Sequence, residues 1–208
     1  LEISPILPED TGMKTVKALT FSEFGRPLEV LRLEERELPD PAADEVRIRI
    51  LAAPVHPSDF GILLGKYGNL PELPAVGGRE GVGEVEEVGS AVTDLAVGDH
   101  VSIPKGVGSW QEAANVKAAE CFSIPKEIPV NMAAMVMVNP PTAWRLLRDA
   151  NLSPGDWLVQ NAANSAVGLH VIEMARHMDL KTLNVVRREE LIGPLKEHGG
   201  DVVVLEDS

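Results

Sequence analysis

The chain has 208 residues, 44% apolar and 25% charged, with 32 acidic side chains against 19 basic ones and a formal net charge of −13. That size and balance suit a soluble globular protein of one or two domains, and the negative charge argues against nucleic acid or an anionic membrane surface as a partner. The single cysteine, Cys121, excludes an intrachain disulfide and any zinc site built on several thiolates, and it fits a reducing compartment. No apolar run reaches the roughly 18 residues of a membrane span. Residues 1–12 are acidic, unlike a signal or transit peptide, and read as a loosely ordered leader with Met13 as a candidate natural start.

Residues 14–20 and 45–51 read as strands. In the second, Val46, Ile48 and Ile50 alternate with Arg47 and Arg49, which predicts one buried face and one wet face. Between them Leu38-Pro-Asp-Pro-Ala42 is a loop, because two prolines remove donors and fix φ. The next stretch, from Ala52 to Gly83, carries Gly61, Gly65, Gly68, Gly77, Gly78 and Gly81, and predicts many turns and few helices. Residues 82–88 and 95–101 read as two more strands, so the first half is a β-rich domain punctuated by glycine and proline. From Asn131 the composition shifts towards helix: 132–138 is small and apolar, Pro141 suits a helical first turn, and 143–147 continues it.

A βαβ pattern follows the turn Ser153-Pro-Gly-Asp156. The apolar run 156–160 reads as a strand. Asn161-Ala-Ala-Asn-Ser-Ala-Val-Gly168 is a small-residue turn, and Val167, Val171, Met174, Ala175 and Met178 then fall at helical spacing. A second strand over 181–186, a helix over 189–198 and a third strand over 202–205 complete the series. A helix beginning near Ser165 offers unpaired N–H groups and the positive end of its dipole to a pyrophosphate, and the small side chains from Asn164 to Gly168 admit a ligand close to the backbone. Of the G-x-G-x-x-G fingerprint only Gly168 remains, so the turn suits an ordinary βα connection equally well. The second strand ends in Arg187-Arg188, roughly 20 residues on, where an acid would bind the ribose of NAD and an arginine the 2′-phosphate of NADP. A solvated arginine pair at a strand end is the plainer alternative.

These residues resemble a known family over nearly the whole chain from about Met13. A β-rich, GroES-like amino-terminal domain followed by a Rossmann domain, a doubly wound parallel sheet, is the plan of the medium-chain dehydrogenase/reductase superfamily. Within it, Leu51-Ala-Ala-Pro-Val-His-Pro-Ser-Asp59, the run from Gly65-Lys-Tyr-Gly to Val76-Gly-Gly78, Val138-Asn-Pro-Pro-Thr-Ala143, Gln160 to Gly168 and Asn184-Val-Val-Arg187 are similar to the mitochondrial-type trans-2-enoyl-CoA reductases. The resemblance implies a β-rich catalytic domain over 13–138 and the first half of the Rossmann domain over 139–208, giving an α/β chain that stops after a third parallel strand. It implies NADPH-dependent reduction of the 2,3 double bond of an enoyl-CoA or enoyl-acyl-carrier-protein in fatty acid synthesis. A complete member has further Rossmann strands, so the chain reads as a piece of a longer protein, and a sheet cut there would expose an apolar edge. The longer protein is expected to be a homodimer, placed in a bacterial cytoplasm or a mitochondrial matrix according to its source.

The resemblance also assigns roles residue by residue. Tyr67, the only tyrosine, matches the catalytic tyrosine that stabilises or protonates the enolate, against the alternative of a packing residue. Asn139 matches a contact to the nicotinamide end of the cofactor, though it also suits a helix cap before Pro141. Asn164, Ser165, Ala166, Val167 and Gly168 match the pyrophosphate turn, and Arg187, Arg188 and Glu189 match the segment that binds the 2′-phosphate. Trp110, in Gly106-Val-Gly-Ser-Trp110, lies like a loop bordering the substrate pocket, although a structural tryptophan fits as well. Zinc members of the superfamily need a ligand where His56 stands and a histidine before glutamate, where Arg79 precedes Glu80 here. No metal is therefore expected, and His100, His170, His177 and His198 are taken as surface or packing residues. The alternatives to an enoyl reductase are a zinc-free NADPH quinone oxidoreductase, and a cofactor-binding fold without chemistry.

Overall fold

A computed structural model describes residues 13–206; the expected leader over 1–12 lies outside them. The described chain divides between Met135 and Val136 into two compact units.

The first unit contains β1 (Lys14–Phe21), α1 (Pro27–Val30), β2 (Arg32–Leu38), β3 (Glu45–Ala52), α2 (Pro57–Leu63), β4 (Ala75–Val76), β5 (Val82–Val88), β6 (His100–Ser102), β7 (Ala113–Lys117), β8 (Ser123–Ile124) and α3 (Val130–Ala133). Its strands form two antiparallel sheets with orders β2-β1-β4 and β7-β3-β5-β6-β8. The five-stranded sheet buries Val46, Ile48, Val85, Val101, Ala114 and Val116 in one cluster. Each of the valines and the isoleucine contributes about 1.5–3 kcal/mol when fully removed from water.

Several sequence expectations are corrected here. Arg47 does not lie on a wet face: its side chain is 4% exposed. The loop after β2 folds over it, so that its guanidinium donates to Pro39 O (2.7 Å) and Asn115 Oδ1 (3.2 Å) and pairs with Glu87. Such charge-assisted bonds make burial of an arginine tolerable. The strand expected over 95–101 is confined to its end, because Ala96 N donates to Asp99 Oδ2 (2.9 Å) and Gly98 has φ +89°, which together make a turn. The Gly-rich stretch agrees with the expectation of few helices: it holds one, α2, with Pro57 at its first position and Asp59 Oδ2 accepting from His56 N at 2.6 Å. The helix expected over 132–138 is only the short α3 followed by turns.

The second unit contains α4 (Asn139–Ala150), β9 (Trp157–Gln160), α5 (Ala166–His177), β10 (Lys181–Val186), α6 (Ile192–Glu197) and β11 (Val202–Leu205). Its strands are parallel in the order β11-β10-β9, with Leu183 between Val159 and Val202. Helix α5 follows the predicted periodicity. Val171 and Ala175 are buried against Ala143 and Leu147 of α4, with Val167, Met174 and Met178 packed beside them. Its buried Ile172 meets Val186, Leu195 and Val203. The segment expected as one helix over 189–198 begins as a 3-10 turn, Glu189–Leu191, before α6. Strand β9 lies at the sheet edge, and its Trp157 and Val159 are exposed.

Candidate active site

In the first unit, α2 ends with a reversal at Gly65, whose φ of +68° suits glycine, and Lys66 N donates to Gly61 O at 2.8 Å. The reversal brings Tyr67 back over the helix, so that a Cβ on Gly61 would stand 3.2 Å from Tyr67 Cδ2. Tyr67 is 38% exposed. Arg79 also reaches Tyr67: its Nη1 donates to the Tyr67 hydroxyl at 2.9 Å, and its guanidinium carbon lies 4.7 Å from the ring centroid. One cation thus meets both the oxygen and the π face of the ring.

Arg79 is placed by the two glycines before it. Gly77 N donates to Leu19 O and Trp110 N to Gly77 O, both at 2.9 Å, and the Trp110 indole lies on the Gly77-Gly78 backbone. A Cβ on Gly77 would fall 2.4 Å from the indole, and one on Gly78, where φ is +86°, would fall 2.2 Å from Ser109 Oγ. Trp110 is itself partly buried beside Phe21, Val30 and Leu63, with Nε1 donating to Pro54 O at 3.3 Å. Its observed contacts are those of a packing residue.

Beneath this surface lie Glu80 and Asp59, each 2% exposed. His56 Nε2 is 2.5 Å from Glu80 Oε1, so the histidine at one of the two expected ligand positions is engaged in a hydrogen bond with the glutamate that follows Arg79. Among the described residues no cluster of three His, Cys, Asp or Glu side chains gathers as a metal site. Burial pushes the Asp59 carboxyl above its usual range, opposed by the His56 backbone N–H and by the charges of His56 and Arg79, and Asp59 Oδ1 has no hydrogen-bond partner among the described residues. A raised folded-state value means that the folded protein holds this proton longer than the unfolded chain. The resulting stability is full below about pH 4 and is lost as pH rises through the folded value. Asp59→Asn keeps an acceptor for His56 N, and it should flatten this part of the stability profile in thermal melts from pH 4 to 7. An unchanged profile would assign the slope to other groups. Cys121 offers no nucleophile, since burial pushes its thiol up to about 11.

In the second unit, Ser165 is the N-cap of α5 and its Oγ accepts from Gly168 N at 3.1 Å. The helix starts close against the turn: a Cβ on Gly168 would lie 2.5 Å from Ala163 O. Ala163 N in turn donates to Val185 O (3.4 Å), which brings the turn to the end of β10 from which Arg187 and Arg188 project. Both arginines are exposed; Arg187 pairs with Glu206 (3.0 Å) and Arg188 with Glu190 (3.4 Å). Glu189 is exposed at the start of the 3-10 turn. Asn139 is buried as the first residue of α4, and the helix cap expected there falls instead on Val138, without a side-chain bond.

Sequence reading missed a polar chain across this sheet. Gln160 Nε2 donates to Gly168 O (3.1 Å) and Asn184 Oδ1 (2.7 Å), and Asn184 Nδ2 donates to Thr182 Oγ1 (2.9 Å) and Val202 O (3.1 Å). Asn184 is completely buried. An asparagine amid Thr-Leu-Asn-Val-Val is the signal that could have revealed it, because a buried amide demands partners.

Residues 42–126 match the alcohol dehydrogenase GroES-like domain. With its β-rich first unit and parallel βαβ second unit, this chain is similar to the medium-chain dehydrogenase/reductase family. Among relatives, it is 45% identical over 197 residues to the mitochondrial enoyl-[acyl-carrier-protein] reductase of Xenopus tropicalis, covering 92% of this chain and 56% of that protein. Among solved structures it is similar to Etr1p, the enoyl thioester reductase of Candida tropicalis, in its complex with NADP and crotonyl-CoA. That match has 29% identity and a TM-score of 0.88, and covers 93% of this chain and 61% of Etr1p. A quinone oxidoreductase of Pseudomonas syringae matches at 29% identity and a TM-score of 0.79, covering 91% of this chain and 58% of that one. The chain spans little more than half the length of these relatives.

Proposed function

We propose that the protein reduces the 2,3 double bond of trans-2-enoyl thioesters with NADPH. The observation that carries this reading is the exposed Tyr67 hydroxyl held by Arg79, in a chain 45% identical to an enoyl-[acyl-carrier-protein] reductase. The residues present fit the cofactor: the first turn of the 12-residue α5 offers backbone N–H groups, Gly168 allows the turn to close on Ala163, and two exposed arginines stand at the end of β10.

When bound, NADPH supplies the hydride to the β-carbon. Asn164, Ser165, Ala166 and Val167 would line its pyrophosphate, Arg187, Arg188 and Glu189 its 2′-phosphate end, and Asn139 its nicotinamide end. The Tyr67 hydroxyl would hydrogen-bond the thioester enolate and pass a proton to its α-carbon. Trp110 would border the acyl chain. The divisions 13–138 and 139–208 serve as catalytic and nucleotide-binding domains in this reading.

Arg187→Ser should raise KM for NADPH roughly tenfold or more while leaving that for NADH nearly unchanged, since only NADPH carries the 2′-phosphate. Equal changes for both cofactors would remove Arg187 from phosphate recognition. By analogy with the mitochondrial relatives, the matrix is the expected location for a eukaryotic source and the cytoplasm for a bacterial one. The full-length protein is expected to dimerise. No helix among the described residues is long and apolar enough to cross a membrane.

The Pseudomonas syringae match favours a second reading, reduction of quinones by NADPH. The test follows NADPH oxidation by the full-length protein with crotonyl-CoA and, separately, with a quinone. Turnover with crotonyl-CoA supports the enoyl reductase, and turnover with the quinone alone supports the second reading. Cofactor binding without turnover on either would leave a fold that binds NADPH and lacks this chemistry.

A further inference from the structure

We infer that Arg79 is a positioning residue for Tyr67, directing the phenol proton towards the substrate and holding the negative charge left when that proton departs. The inference rests on the enoyl reductase reading. Arg79 Nη1 donates to the phenol oxygen at 2.9 Å, so it occupies an acceptor lone pair and leaves the O–H free to point elsewhere. The guanidinium also lies 4.7 Å from the ring centroid, which restrains the ring as well as the oxygen. Tyr67 is 38% exposed after the glycine reversal, and its ring also lies against the bare backbone at Gly61.

The position of Arg79 is itself built. The Gly77-Gly78 backbone beneath Trp110 fixes where its side chain starts, and the neighbouring Asp59 carboxyl feels the guanidinium charge. The chemistry balances simply. With the hydride that bound NADPH would supply at C3, the π electrons of the double bond would move to form the enolate, and C2 would take the proton from the Tyr67 hydroxyl. The phenolate that remains accepts hydrogen bonds from Arg79 until water returns a proton. Arginine suits this task because it stays charged while its neighbour changes protonation, and its effect grows once substrate excludes water from the tyrosine.

The experiment is a double-mutant cycle in the full-length protein, with crotonyl-CoA as the probe and thermal melts and NADPH binding as controls on folding. Arg79→Gln should lower kcat about tenfold, leave KM for crotonyl-CoA within about twofold, and have no further effect in a Tyr67→Phe background. Arg79→Lys, which keeps the charge without the planar fork, should recover part of kcat. Equal losses from Arg79→Gln with and without the tyrosine hydroxyl would overturn the inference, as would a loss confined to KM. Wild-type turnover that collapses in Tyr67→Phe yet ignores Arg79→Gln would sink the inference alone, whereas wild-type protein inert towards crotonyl-CoA would sink the enoyl reductase reading with it.

Discussion

Tyr67→Phe is expected to lower kcat for enoyl-CoA reduction roughly 100-fold to 1,000-fold, the range set by loss of a positioned general acid and oxyanion donor. Little else should change. Phenylalanine keeps the ring, so the contact with Gly61 and the approach of Arg79 to the π face both survive. Tyr67 is 38% exposed, and removal of its oxygen releases Arg79, which is partly exposed and can turn to water. Melting temperature and NADPH affinity should therefore match wild type. The comparison is made by NADPH oxidation with crotonyl-CoA in the full-length protein, and a variant retaining more than about a third of wild-type kcat would contradict a chemical role for this hydroxyl. A quinone, whose reduction needs no proton at a carbon, should be consumed by wild type and variant alike if it is consumed at all.

The second large effect concerns folding. Gly168→Ala should destabilise the protein by about 3 kcal/mol and weaken NADPH binding together. An added methyl would stand 2.5 Å from Ala163 O and 2.8 Å from Ala163 C and Cα, all backbone atoms in a residue that is completely buried. No side chain is available to move aside, so helix α5 must shift from the turn. That shift would disturb the Ser165 cap and the N–H groups of the first turn. Gly193→Ala, in α6, is the control: nothing lies within 4 Å of its added methyl, and alanine favours helix by about 1 kcal/mol over glycine. Denaturant unfolding of both variants separates the cases, and similar midpoints would refute the close approach at Gly168.

The second unit was the more legible half. Its strands and α5 carry period-specific apolar patterns in short segments joined by tight turns, so local signals and final structure agree at 181–186 and 202–205. The first unit hid more. Strand β2, Arg-Leu-Glu-Glu-Arg-Glu-Leu, has no apolar face because it is an edge strand paired only to β1, and six of its seven residues are exposed. Charges there are compatible with an edge and give no strand signal. Arg47 looked solvated because nothing local shows that Pro39, Asn115 and Glu87 converge on it. The same holds at the candidate site. Tyr67 and Gly168 were legible through their motifs, but the hydrogen bond from Arg79 to Tyr67 joins residues twelve apart through a turn set by Trp110. Contacts of that kind depend on tertiary placement, which periodicity does not encode.

The polar chain through Gln160, Asn184 and Thr182 gives the parallel sheet a combination that only one alignment opens. A slip of β10 by a single residue would turn Asn184 to the opposite face and strand all its donors and acceptors at once. Apolar neighbours such as Leu183, Val185 and Val186 would tolerate the slip far better, since one branched side chain can replace another in a core. The polar residues thus act as an error check on strand alignment, in a sheet whose non-local pairing is slow to form. Because Gln160 also grips the carbonyl of Gly168, a misaligned sheet would leave the opening turn of α5 without its anchor as well.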